Sequence, residues 1–299
     1  MAAAGSRELV IANDALGFNY PDALMVPGKY QKRPEPPFVP GRDCAGTMLA
    51  VGEGVTDFKV GDPVLAQVFS GDFAEQVAAP VERVFHRPAG ISAIAAAAAT
   101  TVFNTVFVAV SIRSDVKADD RVVVMGAAGS VGAAAVQLAT NLGAHVVGIV
   151  SSEEKEELVR CSDAKAIVIA AHDGSKMDAS QTQVRRAWGD DREADVVIDT
   201  AGGAMFRGGL LGLGFAGKLV IVGFASGDIP AAKANYLLYD NQTVMGAPLN
   251  IYFDEALKRM RDGANVAAVL PFDGLMHRLQ DIVDRKVTGK LAVKTGTAI

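Results

Sequence analysis

The chain has 299 residues, 50% of them hydrophobic, and a formal net charge of -5 at pH 7. That length suits about two domains with a sizeable core, and the mild acidity gives no basic footprint for nucleic acid. Two cysteines, Cys44 and Cys161, make no disulfide framework. No apolar run reads as long and charge-free enough for a membrane span, and M-A-A-A-G-S-R-E lacks a signal-peptide apolar region, so a cytoplasmic protein is expected.

Arg7 to Ala15 reads as a strand running into G-F-N-Y-P-D-A-L-M. Asn19 is a good helix N-cap, Pro21 fits the first turn and Asp22 lies third in the helix, so a short helix over Asn19–Met25 is predicted, ended by Pro27-Gly28. Gln31 to Gly41 is proline-rich and irregular. Gly46–Val51, Pro63–Val68 and Phe73–Ala78 read as short strands, with turns at G-E-G-V and K-V-G-D-P. Short strands and glycine turns together mean a small β-rich domain. From Ser92 the composition becomes helical and alanine-rich, which suits a buried helix leading into the next domain.

There strands and helices alternate. Strands are expected at Arg121–Met125, His145–Val150, Ala166–Ile169, Asp195–Ile198, Lys218–Val222 and Thr243–Gly246, and helices at Ser130–Leu142, Glu153–Cys161, Ala179–Trp188 and Gly203–Leu213. Alternation of this kind gives a parallel, doubly wound sheet. The tail reads as helices Asp254–Arg261 and Asp273–Arg285 and a last strand, Lys290–Lys294.

The stretch R-V-V-V-M-G-A-A-G-S-V-G, from Arg121 to Gly132, is the most informative. A β-branched run suits a strand buried on both faces. The turn after it holds Gly126, Ala128, Gly129, Ser130, Val131 and Gly132. Gly126 suits a tight turn, Gly129 a close approach of backbone to phosphate, and Gly132 close packing of helix on strand. A dinucleotide pyrophosphate binds at such a helix N-terminus, where N–H groups are free and the dipole favours an anion.

NAD sites usually carry Asp or Glu at the end of the second strand, to bond the ribose 2′-OH. Here that strand ends Val150-Ser151-Ser152, with Lys155 one turn on. Two hydroxyls and an ammonium suit a 2′-phosphate, and NADPH is expected. The other reading has Ser152 capping a helix, with Glu153 and Glu154 on its dipole and Lys155 solvated.

These segments, with P-F-V-P-G-R-D-C-A-G at Pro37–Gly46, A-D-V-V-I-D-T-A-G-G at Ala194–Gly203, V-G-F-A-S-G-D-I-P at Val222–Pro230 and V-T-G-K at Val287–Lys290, run nearly the whole chain. They resemble the quinone oxidoreductase (ζ-crystallin-like) branch of the zinc-free medium-chain dehydrogenase/reductases. The resemblance implies an α/β protein with a Rossmann domain at 101–246 and a GroES-like substrate domain built from 1–100 and 247–299. It implies NADPH in the cleft between them, a homodimer, and hydride transfer to a quinone or to an enone or enoyl C=C bond. Carried over residue by residue, Asn19 matches an asparagine beside nicotinamide and substrate, Tyr30 a tyrosine at the substrate cleft, and Thr105 a nicotinamide-side threonine. Gly223, Phe224 and Ala225 match the segment whose backbone holds the carboxamide, and Arg285 or Lys286 a basic position facing the phosphates.

The chain departs from the pattern in several places, among them a shorter segment from Ala247 to Pro271. Only six residues stand before Arg7, where the family has a further β-hairpin, so an open sheet edge and a less stable substrate domain are expected. The acid of the family's P-G-x-E segment is Asp43. Ala170 and Ala171 stand where a tyrosine often flanks the adenosine phosphate.

Catalytic zinc needs a Cys/His set, and none is legible: His86, His145, His172 and His277 are scattered. No metal is therefore expected, and no partner beyond a small-molecule quinone or enone: no nucleic acid and no membrane. Asn19 and Tyr30 are the candidate donors to a forming oxyanion. A cofactor-binding protein with negligible turnover stays open as a third reading.

Overall fold

A computed structural model describes residues 4–160, 166–169, 188, 193–252 and 291–294. The chain divides into two compact units, Met1–Thr101 with Leu270–Ile299, and Val102–Val269.

The first unit contains β1 (Glu8–Phe18), α1 (Tyr20–Met25), β2 (Asp43–Val51), β3 (Pro63–Gln67), β4 (Gln76–Pro80), β5 (Val84–His86) and the start of α2 (Ala93–Phe107). After α2 the chain makes a wide helical turn, Val108–Arg113, and continues into the second unit with β6 (Arg121–Met125), α3 (Ser130–Asn141), β7 (His145–Val150), α4 (Glu153–Arg160) and β8 (Ala166–Ile169). Then come β9 (Ala194–Asp199), α5 (Gly203–Gly212), β10 (Leu213–Ile221), α6 (Ala234–Tyr239) and β11 (Thr243–Gly246); β12 (Leu291–Lys294) returns to the first unit's sheet. The expected helices Ala179–Trp188, Asp254–Arg261 and Asp273–Arg285 lie outside the described residues, apart from Trp188 itself.

The second unit carries a six-stranded parallel sheet in the order β11-β10-β9-β6-β7-β8. This is the Rossmann order, with the reversal between β6 and β9, where ligands bind outside the carboxyl ends of the strands. β6 is buried along its whole length, as its unbroken apolar run requires. Helix α3 lays Ala134, Ala135, Val136 and Ala139 inward at helical spacing.

The first unit carries an antiparallel sheet in the order β12-β1-β2-β3-β5, with β4 also on β1. From Ile11 to Phe18 the burial of β1 alternates residue by residue, the period of a strand with one face on a core. That core is Leu9, Ile11, Cys44, Met48, Val64, Val77 and Val84. Burying such side chains contributes about 25 cal/mol per Å² of apolar surface.

Several expectations need correction. β1 is no open edge: β2 pairs along one side, while β4 pairs Glu8–Ala12 and β12 pairs Ala15–Phe18 on the other. The strand expected at Phe73–Ala78 begins only at Gln76. Phe73 to Glu75 form a bend instead, because Asn13 Nδ2 donates to Asp72 O and Ala74 O and Phe73 N donates to Pro40 O. The Phe73 ring turns onto Phe18 at 4.7 Å. The run Ala93–Arg113, 21 residues holding an 18-residue window of mean hydropathy 1.9, is by length and composition enough to cross a membrane, contrary to the sequence reading. Of its apolar window, 61% is buried within the protein.

The same bend buries a carboxyl. Asp72 is fully buried, and burial pushes its pKa from 3.8 to about 7, with Cys44, Asp43, Asn13 and Asp22 around it. Asp43 and Asp22 push further in that direction, while bonds from Cys44 and Asn13 oppose it. Between these two pH values the folded chain keeps a proton that the unfolded chain has released. Stability therefore falls as pH rises through this window. At about 1.4 kcal/mol per pKa unit the loss is at most roughly 4 kcal/mol. The thermal midpoint is expected to drop between about pH 4 and pH 7, and to drop far less in Asp72→Asn, whose amide oxygen still accepts from Asn13. Equal slopes in calorimetry for the two proteins would assign the effect elsewhere.

Candidate active site

The candidate residues fall into two groups, one in each unit, and Thr105 lies on the part of α2 that belongs to the second. In the first unit the chain leaves β1 and enters α1 at Asn19, which has extended backbone (φ -125, ψ 152) as an N-cap should. Asp22 Oδ2 accepts the Asn19 N–H at 2.7 Å, the reach-back half of a capping box. The Asn19 side chain points into the protein and is 6% exposed. Its Nδ2 donates to Asp43 Oδ2 at 2.9 Å and, at 3.4 Å, to Gly17 O. Asn19 is thus held in place, and its amide N–H groups are turned towards Asp43 and Gly17 rather than outward.

Asp43 is fully buried at the start of β2 and collects further donors from α2. Thr101 gives it its backbone N–H (3.2 Å, to Oδ2) and its hydroxyl (2.6 Å, to Oδ1). Gln67, opposite Asp43 across the β2–β3 ladder, donates its amide to Thr101 Oγ1. Thr105 follows Thr101 by one helical turn on α2 and is half-buried. The sequence reading noted Asp43 as a departure and passed over Thr101 and Gln67. An acid in an apolar strand start, with a threonine pair in an alanine-rich helix, was the available signal.

Tyr30 stands at the start of the irregular loop. Its hydroxyl accepts from Arg42 Nη1 at 3.4 Å, and the guanidinium lies 5.6 Å from its ring centre and 5.5 Å from that of Phe69. Lys32 sits over the same Phe69 ring at 4.6 Å. Cation–aromatic contacts of this kind contribute about 0.5–1 kcal/mol each at exposed sites.

In the second unit the glycine turn follows β6. Gly126 has φ +74, and a Cβ there would lie 2.5 Å from Thr200 Oγ1. A Cβ on Gly132 would lie 2.2 Å from Gly126 O, so α3 can approach the turn only with glycine at that position. Gly129, the N-cap of α3, is exposed, and a Cβ there would meet only Gly126 O, at 3.3 Å. The first-turn N–H groups of Ser130, Val131 and Gly132 have no acceptor within the helix, and Ala128, in the turn before them, is buried. Open backbone at the positive end of a 12-residue helix fits a dinucleotide pyrophosphate.

At the end of β7, Lys155 Nζ donates to Ser151 Oγ at 3.0 Å, and Ser152 immediately precedes α4. The ammonium and the Ser151 hydroxyl therefore come together at the strand end, where NAD sites carry an acid. Gly223, Phe224 and Ala225 lie beyond β10, and Ala225 N donates to Thr200 O at 3.2 Å. Arg285 and Lys286 lie outside the described residues. A separate cleft of about 670 Å³, lined by Asp119, Arg121, His145 and Glu193 among others, opens at the starts of the strands, away from the glycine turn. Among the described residues no group of three or more His, Cys, Asp or Glu is arranged to hold a metal ion.

A Rossmann sheet with this turn, in one chain with an antiparallel GroES-like sheet, defines a nicotinamide-dependent oxidoreductase of the medium-chain type. Comparison with known proteins agrees. Residues 5–109 match the alcohol dehydrogenase GroES-like domain, and residues 130–266 match the family described as zinc-binding dehydrogenase. The chain is 30% identical to a quinone oxidoreductase-like protein 2 homolog of Nematostella vectensis, over 97% of this chain and 82% of that one. It is 25% identical to an acryloyl-coenzyme A reductase of Sulfurisphaera tokodaii, over 97% and 93% of the two chains. A solved quinone oxidoreductase of Thermus thermophilus, studied also in complex with NADPH, shares its fold with TM-score 0.78 and 28% identity, over 98% and 93%. The chain belongs to the medium-chain dehydrogenase/reductase superfamily, in its quinone oxidoreductase branch.

The Asn19–Asp43 bond makes a measurable claim. Asn19→Ala leaves a buried carboxylate short of a donor, at a cost of about 1–3 kcal/mol, against about 1 for loss of a helix cap alone. In a double-mutant cycle with Asp43→Asn, denaturant unfolding is expected to show coupling of roughly 0.5 kcal/mol or more. Additive losses would mean that the bond carries no net energy.

Proposed function

We propose that the chain is an NADPH-dependent quinone reductase that works without zinc. The observation that carries the cofactor choice is the pairing of Lys155 with Ser151 at the end of β7, where no acid stands. An ammonium and a hydroxyl offer a 2′-phosphate charge-assisted hydrogen bonds, which contribute about 1.5–3 kcal/mol each. The quinone reading is supported by the names of the relatives, and zinc independence by the scarcity of ligands among the described residues.

NADPH supplies a hydride when bound, and the protein's part is to bind, orient and stabilise. Gly126 to Gly132 would hold the pyrophosphate, and Gly223 to Ala225 the carboxamide. Thr105 would face the nicotinamide. Asn19, fixed by Asp43, would serve as the family's asparagine for nicotinamide and substrate, as the resemblance implies. Its N–H groups are engaged inward, so Tyr30 is the better donor to oxygen that gains charge as hydride arrives. The Tyr30 hydroxyl accepts from Arg42 and keeps its own O–H to give. Reduction of the quinone is completed by one proton from solvent.

Reduction of a C=C bond conjugated to a carbonyl is the second reading, favoured by the similarity to an acryloyl-coenzyme A reductase. It needs the same hydride and oxyanion geometry. We also propose a cytoplasmic homodimer acting on a small molecule, on the strength of the family resemblance.

The test is NADPH oxidation across quinones, enones and enoyl thioesters, with and without chelator. Turnover highest on quinones and unchanged by chelation is the expected result; preference for enoyl thioesters selects the second reading. Lys155→Ala is expected to weaken NADPH about tenfold or more, one decade being ~1.4 kcal/mol, and to leave NADH nearly unchanged. Equal losses for the two cofactors would refute the 2′-phosphate assignment.

A further inference from the structure

The segment Asp199–Gly203, at the carboxyl end of β9, touches two of the parts of the second unit assigned to the cofactor. On one side it meets the glycine turn: Thr200 donates its hydroxyl to Met125 O at 2.8 Å and its N–H to the same oxygen at 3.4 Å. Its Oγ1 also occupies the space a side chain on Gly126 would need. On the other side it meets the loop after β10. Val222 N donates to Asp199 O (2.8 Å), Ala225 N to Thr200 O (3.2 Å) and Ser226 N to Ala201 O (2.8 Å). Gly203 N donates back to Asp228 O at 3.1 Å. The two loops are laced together backbone to backbone.

One side chain shapes that lacing. Asp199 is fully buried, and its Oδ1 accepts the N–H of Ala201 and of Gly202, each at 2.9 Å. Two successive N–H groups converging on one oxygen curl the chain, and Gly202 (φ +68) and Gly203 (φ +57) take up the left-handed backbone that follows. Asp199 Oδ2 is buried, with no hydrogen-bond partner among the described residues. Burial pushes the carboxyl above its ordinary range, although both N–H bonds oppose this. An asparagine or serine would cap the turn without that desolvation cost.

We propose that Asp199 is a positioning residue for the nicotinamide half of the cofactor: by curling Thr200–Gly203 it sets the Gly223–Ala225 segment at a fixed distance from the phosphate-binding turn. The inference rests on the reading of Gly223–Ala225 as the carboxamide segment. It assigns Asp199 no contact with the cofactor. It does require that the two halves of the dinucleotide respond differently when the carboxylate is lost. The adenosine half, at Ser151 and Lys155, does not touch this lacing.

The experiment uses the full chain with Asp199→Ala, and Asp199→Asn as the variant that keeps an acceptor oxygen. Calorimetry measures NADPH and 2′,5′-ADP, which carries only the adenosine end. In ligand-free protein, hydrogen exchange is followed at Ala201, Gly202, Ala225 and Ser226. Asp199→Ala is expected to weaken NADPH about tenfold or more, to leave 2′,5′-ADP within about twofold, and to speed exchange at those four amides, with the glycine turn unaffected. Asp199→Asn is expected to fall between. Parallel loss of both ligands means a general structural role and overturns the proposal, as does no change in either. Should the unsubstituted protein bind neither ligand, the cofactor reading fails by itself. The exchange data still decide the positioning claim, and unaltered exchange at Ala225 and Ser226 overturns it.

Discussion

A carboxyl group sealed from water must find its hydrogen-bond donors inside the protein, and the first unit is arranged around that constraint at Asp43. Its two oxygens collect the Asn19 amide, the Thr101 hydroxyl and the Thr101 backbone N–H. Those donors come from the start of α1 and the middle of α2, while Asp43 itself opens β2. A single residue thus fixes where the chain leaves β1, where β2 begins and how α2 lies on both. The approach is close: a Cβ on Gly17 would stand 2.3 Å from Ala97 O and 3.0 Å from Asp43 Cβ. Leaving any of these buried groups without a partner costs about 1–3 kcal/mol. The network therefore makes the position of Asn19 stiff, which is what an orienting residue needs.

The second unit meets the same constraint at Asp199 in another way. There the donors are backbone N–H groups of the next turn, so the carboxylate curls its own chain rather than joining distant elements. Thr200 then extends the effect to the glycine turn through Met125 O. Both units place polar side chains at strand ends and apolar ones along the strands. The sheets supply rigidity, and the ends supply chemistry. Asp72 is buried too, and among the described residues its Oδ2, like that of Asp199, has no hydrogen-bond partner; burial holds its proton to about pH 7.

The roles of the two candidate donors also separate on physical grounds. Asn19 is nearly buried and gives its N–H groups to the protein. Tyr30 is half-buried, on an irregular loop, and its ring and hydroxyl lean on Arg42. In the proposed reaction the first would fix geometry, and the second would answer a developing charge.

The sequence by itself determined the parallel sheet, the glycine turn and the serine–lysine strand end. Each is a local pattern: an apolar run such as Val122–Val124, a glycine spacing, a strand end lacking its acid. Strands β6, β7, β8 and β11 fall where the patterning placed them. Tertiary structure alone decided the rest. β1 is an inner strand because β4 and β12, far along the chain, share its second side. Phe73 leaves the strand because Asn13, some 60 residues earlier, pulls the bend around it through Asp72 and Ala74. Asp43 meets Thr101, and Asp199 lies beside the loop at Ala225, through contacts that no local window contains. Periodicity reports which face of an element is buried. Which distant polar groups a buried carboxyl will find depends on how the elements pack.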